Sequence, residues 1–213
     1  PQLAQAMSEA ALAWTLYLHR RMPEYLALQR KQQWQQLATS KPSDFCVSIL
    51  GLGELGRACA ARLTENGFKV CGWSTSAKNL PGIRCYQGAD GLEAALRQAD
   101  VLLVLLPLTA DTHNLIDSSA LSCLPSRAAV INFARGPIVN TGDLLQALDG
   151  NTISHAVLDV FDTEPLPENS PLWAHSRITV LPHIAAPTDP DSAVQIVAQQ
   201  ISRYRENGAL PQT

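Results

Sequence analysis

No apolar run in this chain is long enough to cross a bilayer. The longest, Val101 to Leu106, falls far short of the roughly 20 residues a spanning helix needs. No run of lysine or arginine occurs and the net charge is −3, which predicts no nucleic-acid partner and no membrane partner. No two of the five cysteines, at 46, 59, 71, 85 and 123, form a C-x-x-C pair. An odd, dispersed set argues against a disulfide framework and for reduced thiols in a cytoplasmic protein. Cys46 and Cys71 fall on predicted strands and read as core fillers. His19, His113, His155 and His175 show no ligand spacing, so no metal is expected. There is no secretory signal order, because Arg20 and Arg21 follow the apolar Ala10–Leu18 stretch instead of preceding it. There is no initiator methionine ahead of Pro1, and the start reads as a segment entered in mid-protein. No internal repeat or low-complexity tract is visible. What remains is 213 residues with 46% hydrophobic content, enough to build a packed core in one large domain or one and a half.

The most informative positive feature is a strand running into a glycine-rich turn. Phe45–Leu50 is a short apolar run, Gly51-Leu-Gly53-Glu-Leu-Gly56 follows, and an Ala-rich helix begins at Arg57. In a Gly-x-Gly-x-x-Gly turn the first glycine permits the tight bend and the second lets the backbone approach a pyrophosphate. The third lets helix pack closely on strand, with the helix N-terminus facing the anion. The pattern predicts a dinucleotide held at Gly51, Gly53, Glu54, Leu55 and Gly56; the bland alternative is a glycine-rich loop.

The next strand, Lys69–Trp73, ends at Ser74. An acid is expected about 20 residues beyond the glycines if the ribose has a free 2′-hydroxyl. Ser74, Thr75, Ser76, Ala77 and Lys78 stand there instead. Hydroxyls and an ammonium suit a 2′-phosphate, which an aspartate would repel. The loop therefore predicts NADP as the preferred cofactor, with NAD possible; the alternative is a solvated loop that ignores the ribose.

Ser8 is read as an N-cap with the helix opening at Glu9 and Ala10, running to about Gln36 with a break at Pro23. Apolar residues cover more than one helical face between Ala10 and Leu18. That width suits either packing on its own domain or a homodimer contact. Strands are read at 45–50, 69–73, 84–86, 101–105, 128–132, 153–158 and 177–180. Helices are read near 54–66, 90–98, 117–121, 142–149 and 187–206. Such alternation predicts an α/β fold, a Rossmann-type doubly wound parallel sheet. The expected organisation is connecting or dimerisation helices over 1–40, a dinucleotide-binding domain over 41–186 and a C-terminal helix over 187–213.

Functional loops in such a sheet lie at the carboxyl ends of strands. The phrases there are Leu105-Leu-Pro-Leu-Thr109, Asn132-Phe-Ala-Arg-Gly136, Leu158-Asp-Val-Phe-Asp-Thr-Glu-Pro165 and Leu181-Pro-His-Ile-Ala-Ala186. In that order they resemble the D-isomer-specific 2-hydroxyacid dehydrogenases, from Met7 onward. Trp73–Ser76 and Ser170–Trp173 resemble the bacterial glyoxylate/hydroxypyruvate reductase branch. The resemblance implies a catalytic set of Arg135, Glu164 and His183. It also implies that Leu106, Pro107 and Thr112 line the nicotinamide side and that Asp159 meets the carboxamide, although Asp159 could equally cap a turn. Phe133, Ala134, Arg135, His183 and Ala185 belong to the same expected cofactor shell. Trp173 reads as packing. The family's N-terminal substrate domain has no match here, which predicts that the C-terminal helix would pack on a domain this chain lacks.

These residue types suit reduction of a small 2-oxo acid. A hydride must reach the carbonyl carbon and a proton its oxygen. His183 can supply the proton near neutral pH, and Glu164 beside it would favour the charged imidazole. Arg135 can fork onto the carboxylate and polarise the carbonyl. Taken singly, each has a bland reading, as a surface ion pair, a loop charge or a satisfied loop histidine. Two rivals stay open: a non-catalytic NAD(P)-sensing, corepressor-like protein, which could keep the same residues, and a methyltransferase, which would leave Arg135, Glu164 and His183 unexplained together.

Overall fold

The computed structural model describes residues 2–187 and 190–208. Pro1, 188–189 and 209–213, which belong to the expected terminal segments 1–40 and 187–213, lie outside the described residues. The apolar runs form seven strands: β1 (Cys46–Leu50), β2 (Lys69–Trp73), β3 (Arg84–Tyr86), β4 (Val101–Val104), β5 (Ala129–Asn132), β6 (His155–Leu158) and β7 (Ile178–Val180). They pair in parallel in the order β3-β2-β1-β4-β5-β6-β7. β1, β4, β5 and β6 are buried at every position, as strands covered on both faces must be.

The covering helices are α1 (Gln2–His19), α2 (Met22–Arg30), α3 (Glu54–Glu65), α4 (Gly88–Leu96), α5 (Ser118–Cys123), α6 (Thr141–Asp149) and α7 (Pro190–Asn207). Successive residues of β4 feed opposite cores. Val101 and Leu103 join Ile49, Leu63 and Ile131 under α1 and α3. Leu102 and Val104 join Leu121, Leu144 and Leu148 under α4, α5 and α6. Strand order reverses beside β1, whose neighbours are β2 and β4. Loops after β1 and β4 therefore diverge, leaving a crevice at the carboxyl edge where doubly wound sheets take their ligands.

The N-terminal helices depart from expectation. α1 starts at Gln2, and Ser8 lies buried inside it, its Oγ donating to the Gln5 carbonyl at 2.8 Å. Met7, Ala11 and Thr15 form a buried stripe that requires helix on both sides of Ser8, so burial overrides the capping preference. The chain breaks at Arg21, whose φ is 57°. Pro23 falls in the first turn of α2, where a missing N–H is harmless. α2 stops at Arg30 rather than near Gln36, and Trp34 in the glutamine-rich stretch beyond is fully exposed. That stretch has no apolar face to bury. One face of α1 packs on its own domain against α3, while Leu3 and Leu16 stay exposed. No described helix is long and apolar enough to cross a membrane.

His155 opens β6 in the interior, with Nε2 2.9 Å from Thr179 Oγ1. Burial pushes its imidazole down to about 4, with Glu24 opposing the shift and His175 and Arg177 adding to it. A depressed histidine stays neutral in the fold but protonates in the unfolded chain. Its contribution is fully present above the ordinary value and is lost as pH falls from about 6.5 towards 4. A drop of this size corresponds to about 3 kcal/mol. His155→Gln is expected to flatten the acid side of the Tm–pH curve, measured by thermal denaturation between pH 7 and 4. An unchanged slope would mean another group governs acid unfolding.

Candidate active site

The glycine turn after β1 has the geometry of a cradle. Gly51 sits at φ 106°, and a Cβ there would lie 2.8 Å from the Leu105 carbonyl oxygen. A Cβ on Gly56 would lie 1.8 Å from the Gly51 carbonyl oxygen. These two glycines close the turn. Gly53 differs, because a Cβ there would meet nothing within 4 Å. It precedes α3 as an N-cap with no side-chain hydrogen bond. The leading N–H groups of α3, in the Glu54–Leu55–Gly56 turn, thus have no side-chain cap and begin beside the open space at Gly53, the environment an anion favours. A pyrophosphate fits this cradle.

Ser74 at the end of β2 is buried, its Oγ donating to the Ser76 carbonyl at 2.6 Å and its N–H to the Tyr86 carbonyl at 3.2 Å. Its hydroxyl proton closes the loop instead of pointing at a ligand. Thr75 and Ser76 are exposed and Lys78 is half-buried. On the other side of the crevice, Leu106 is buried and Pro107 exposed. Thr112 is buried too. Its Oγ1 donates to the Pro107 carbonyl at 2.6 Å and accepts from the Thr109 N–H at 2.8 Å. Thr112 therefore shapes the loop that presents Leu106 and Pro107.

Three further loops bring the acid–base candidates to the same edge. Arg135 follows β5 and is exposed, with Nη1 donating to the Ala134 carbonyl at 2.5 Å. Asn132 holds this loop: its Oδ1 accepts from the Ala134 N–H and its Nδ2 donates to the Arg135 carbonyl, both at 3.1 Å. Phe133 and Ala134 are buried beside it. Glu164, in the loop after β6, accepts from the Phe161 N–H at 3.0 Å through Oε1 and lies 2.7 Å from His183 Nδ1 through Oε2. His183 adopts φ 57°, a left-handed conformation that needs support. Asp159, 2% exposed, supplies it. Its two oxygens accept from the N–H groups of Ile184 at 2.7 Å and Ala185 at 2.9 Å. The turn-cap alternative for Asp159 thus matches its contacts within the chain.

Partial burial pushes the Glu164 carboxyl up, but the hydrogen bonds from His183 and the Phe161 amide, with the charges of His183 and Arg135, outweigh it. The carboxyl ends below its ordinary value. A depressed carboxyl contributes stability that is present above the ordinary glutamate value and lost as pH falls through the lowered one, so Glu164 stays ionised at neutral pH.

The sequence reading omitted Asn132, Gly136 and the Phe161 amide. Asn132 had a signal, as a polar residue closing an apolar strand. Gly136 had none, because only the fold brings it against Phe161. A cavity of about 360 Å³ lies behind these loops, lined by Asn132, Gly136, Leu144, Phe161 and Leu172. Arg135, Glu164 and His183 do not line it. Trp173 is half exposed, its Nε1 donating to the Pro167 carbonyl at 3.0 Å.

Residues 12–185 match the model of the D-isomer specific 2-hydroxyacid dehydrogenase NAD binding domain. Glyoxylate/hydroxypyruvate reductase A from Enterobacter sp. (strain 638) is 41% identical over 207 residues, 97% of this chain and 66% of the relative. The chain thus spans just under two thirds of the length of the curated relatives it matches. Among solved structures, a D-isomer specific 2-hydroxyacid dehydrogenase from Xanthobacter autotrophicus Py2 in complex with NADPH and MES superposes with a TM-score of 0.94. It is 38% identical, and the match covers 99% of this chain and 86% of the other. The NADPH-dependent glyoxylate/hydroxypyruvate reductase from Sinorhizobium meliloti, in complex with NADP and sulfate, gives a TM-score of 0.93 at 35% identity, covering 99% and 67%.

Proposed function

The chain belongs to the D-isomer-specific 2-hydroxyacid dehydrogenase family, and from that premise we propose that it carries the cofactor site and acid–base residues of a reductase acting on small 2-oxo acids of the glyoxylate/hydroxypyruvate type. The observation that carries the reading is the His183–Glu164 pair at 2.7 Å, borne on the same edge of the sheet as the glycine cradle.

The reduced nicotinamide supplies the hydride when bound. The α3 N-terminus and Gly53 receive the pyrophosphate, and Thr75, Ser76 and Lys78 receive the 2′-phosphate. Arg135 leaves the Ala134 carbonyl to fork onto the substrate carboxylate and polarise its carbonyl oxygen. Glu164 occupies Nδ1 of His183 and stabilises the imidazolium, which leaves Nε2 to hold the proton for the carbonyl oxygen. Asp159 keeps the His183 turn in place through the flanking amides, and its remaining lone pairs can accept from a carboxamide. The exposed Leu3 and Leu16 of α1 and Val194, Val197, Ile201 and Tyr204 of α7 suit burial against further protein; a homodimer through α1 is the reading for the first pair.

The test is NADPH and NADH oxidation with glyoxylate, hydroxypyruvate and larger 2-oxo acids, together with dissociation constants for both cofactors. NADPH is expected to bind about 10- to 100-fold more tightly, the scale of a charged hydrogen-bonded contact. Lys78→Ala should narrow the ratio. Ser74→Asp should narrow it further, because a carboxylate beside this loop repels the 2′-phosphate. Equal affinity of the wild type for the two cofactors would remove the 2′-phosphate assignment. Cofactor binding without turnover of any 2-oxo acid, in the protein extended upstream to the full length of its relatives, would remove the reductase assignment.

A further inference from the structure

Glu164 and Arg135 come from loops after different strands, and nothing in either loop alone sets their separation. The contact that does so is backbone on backbone. A Cβ on Gly136 would lie 2.0 Å from the carbonyl carbon of Phe161, 2.3 Å from its oxygen and 2.4 Å from the amide nitrogen of Asp162. The Arg135–Gly136 segment thus rests directly on the Phe161–Asp162 peptide. The N–H of Phe161 in turn donates to Glu164 Oε1 at 3.0 Å, and the other oxygen of that carboxylate meets His183. Gly136 itself is buried, and Asn132 pins the preceding residues through the Ala134 N–H and the Arg135 carbonyl.

We propose that Gly136 is a positioning residue: its missing side chain lets the arginine loop seat on the Phe161–Asp162 peptide, which holds the Phe161 amide against Glu164 and so ties the guanidinium, the carboxylate and the imidazole into one rigid unit. The proposal rests on the reductase reading for its kinetic consequence but not for its structural one. A methyl group at 136 overlaps backbone atoms, which cannot turn aside as a flexible side chain would. The overlap falls on the Phe161–Asp162 peptide itself, so that peptide must shift, and its displacement turns the Phe161 N–H away from Glu164 Oε1. The glycine cradle after β1 lies in other loops and is left intact. Misplacement of about 1 Å is enough to cost on the order of 10²-fold in turnover.

The experiment measures Gly136→Ala in three ways. The first is a carbon-13 NMR titration of the Glu164 carboxyl, which needs no substrate. Its midpoint lies below the ordinary glutamate value in the wild type and is expected to rise towards it in the variant, since the Phe161 hydrogen bond is one of the interactions lowering it. The second is NADPH affinity, expected to stay within about threefold of wild type. The third, in the protein extended upstream to the full length of its relatives, is the split between kcat and KM for glyoxylate, with the loss of roughly 10²-fold expected mainly in kcat. An unmoved Glu164 titration in a folded variant, or a kcat loss matched by lost NADPH affinity, overturns the proposal. If Gly136→Ala does not fold, Phe161→Ala decides the matter. It removes the ring but keeps the peptide, so Glu164 should still titrate low, and a rise to the ordinary value would show that the ring, not the peptide contact, holds the carboxylate. Inactivity of the protein extended upstream to the full length of its relatives, with these titrations as expected, would overturn the reductase reading alone.

Discussion

In the protein at the full length of its relatives, His183→Ala is expected to lower turnover of glyoxylate by ~10²-fold or more while NADPH binding persists. Among the described residues the imidazole is the only group at this edge placed to move a proton near neutral pH while paired to a carboxylate, through Nδ1 and Glu164 Oε2 at 2.7 Å. Its loop is held by Asp159 through the amides of Ile184 and Ala185, which the substitution leaves in place. The cofactor cradle lies on other loops, so binding and turnover should separate. The separation is read from an NADPH fluorescence titration beside steady-state kinetics. Glu164→Gln should produce a smaller loss, since the amide retains a hydrogen bond but not the charge that stabilises an imidazolium. Near-normal turnover in His183→Ala would take the proton-transfer role away from this residue.

The second large effect is expected at the glycine turn, where Gly53→Ala and Gly56→Ala should fail in different ways. At Gly56 the added methyl would lie 1.8 Å from the Gly51 carbonyl oxygen, so α3 must move away from β1. The two elements share the core of Ile49, Cys59, Ala60 and Leu63. Both melting temperature and NADPH affinity should fall, stability by a few kcal/mol as in overpacked cores. At Gly53 the methyl meets no atom of the protein within 4 Å. Stability should change by no more than ~1 kcal/mol, the scale of an N-cap substitution, while NADPH affinity falls because the methyl occupies the space left for the pyrophosphate. Thermal denaturation and cofactor titration on the two variants provide the comparison. If Gly53→Ala binds NADPH as well as wild type, the anion does not sit at the head of α3.

Much of the scaffold was legible in the residues. All seven strands lie within a residue or two of their predicted ranges, and β1, β4, β5 and β6 stand out most clearly because a strand buried on both faces is mostly apolar. The glycine turn was legible because its three positions carry separate steric demands. The N-terminal helices were less so. Ser8 has the chemistry of a cap, yet burial of Met7, Ala11 and Thr15 extends the helix through it. The glutamines after Arg30 suit a helix by composition but have no surface to pack on.

At the site, Arg135, Glu164 and His183 were nameable from phrases at strand ends, whereas their wiring was not. Thr112 and Ser74, read as ligand-facing, use their hydroxyl protons on the Pro107 and Ser76 carbonyls. Local sequence specifies the period of burial, the turns that only glycine permits and the residue types gathered at one edge, since those depend on each residue and its chain neighbours. Only the tertiary structure decided that Gly136 lies on the Phe161 peptide, that Asn132 grips the arginine loop and that Asp159 braces the turn of His183. Those contacts join residues up to 26 positions apart, and they depend on the lateral order of strands and on the space a missing Cβ leaves between two backbones.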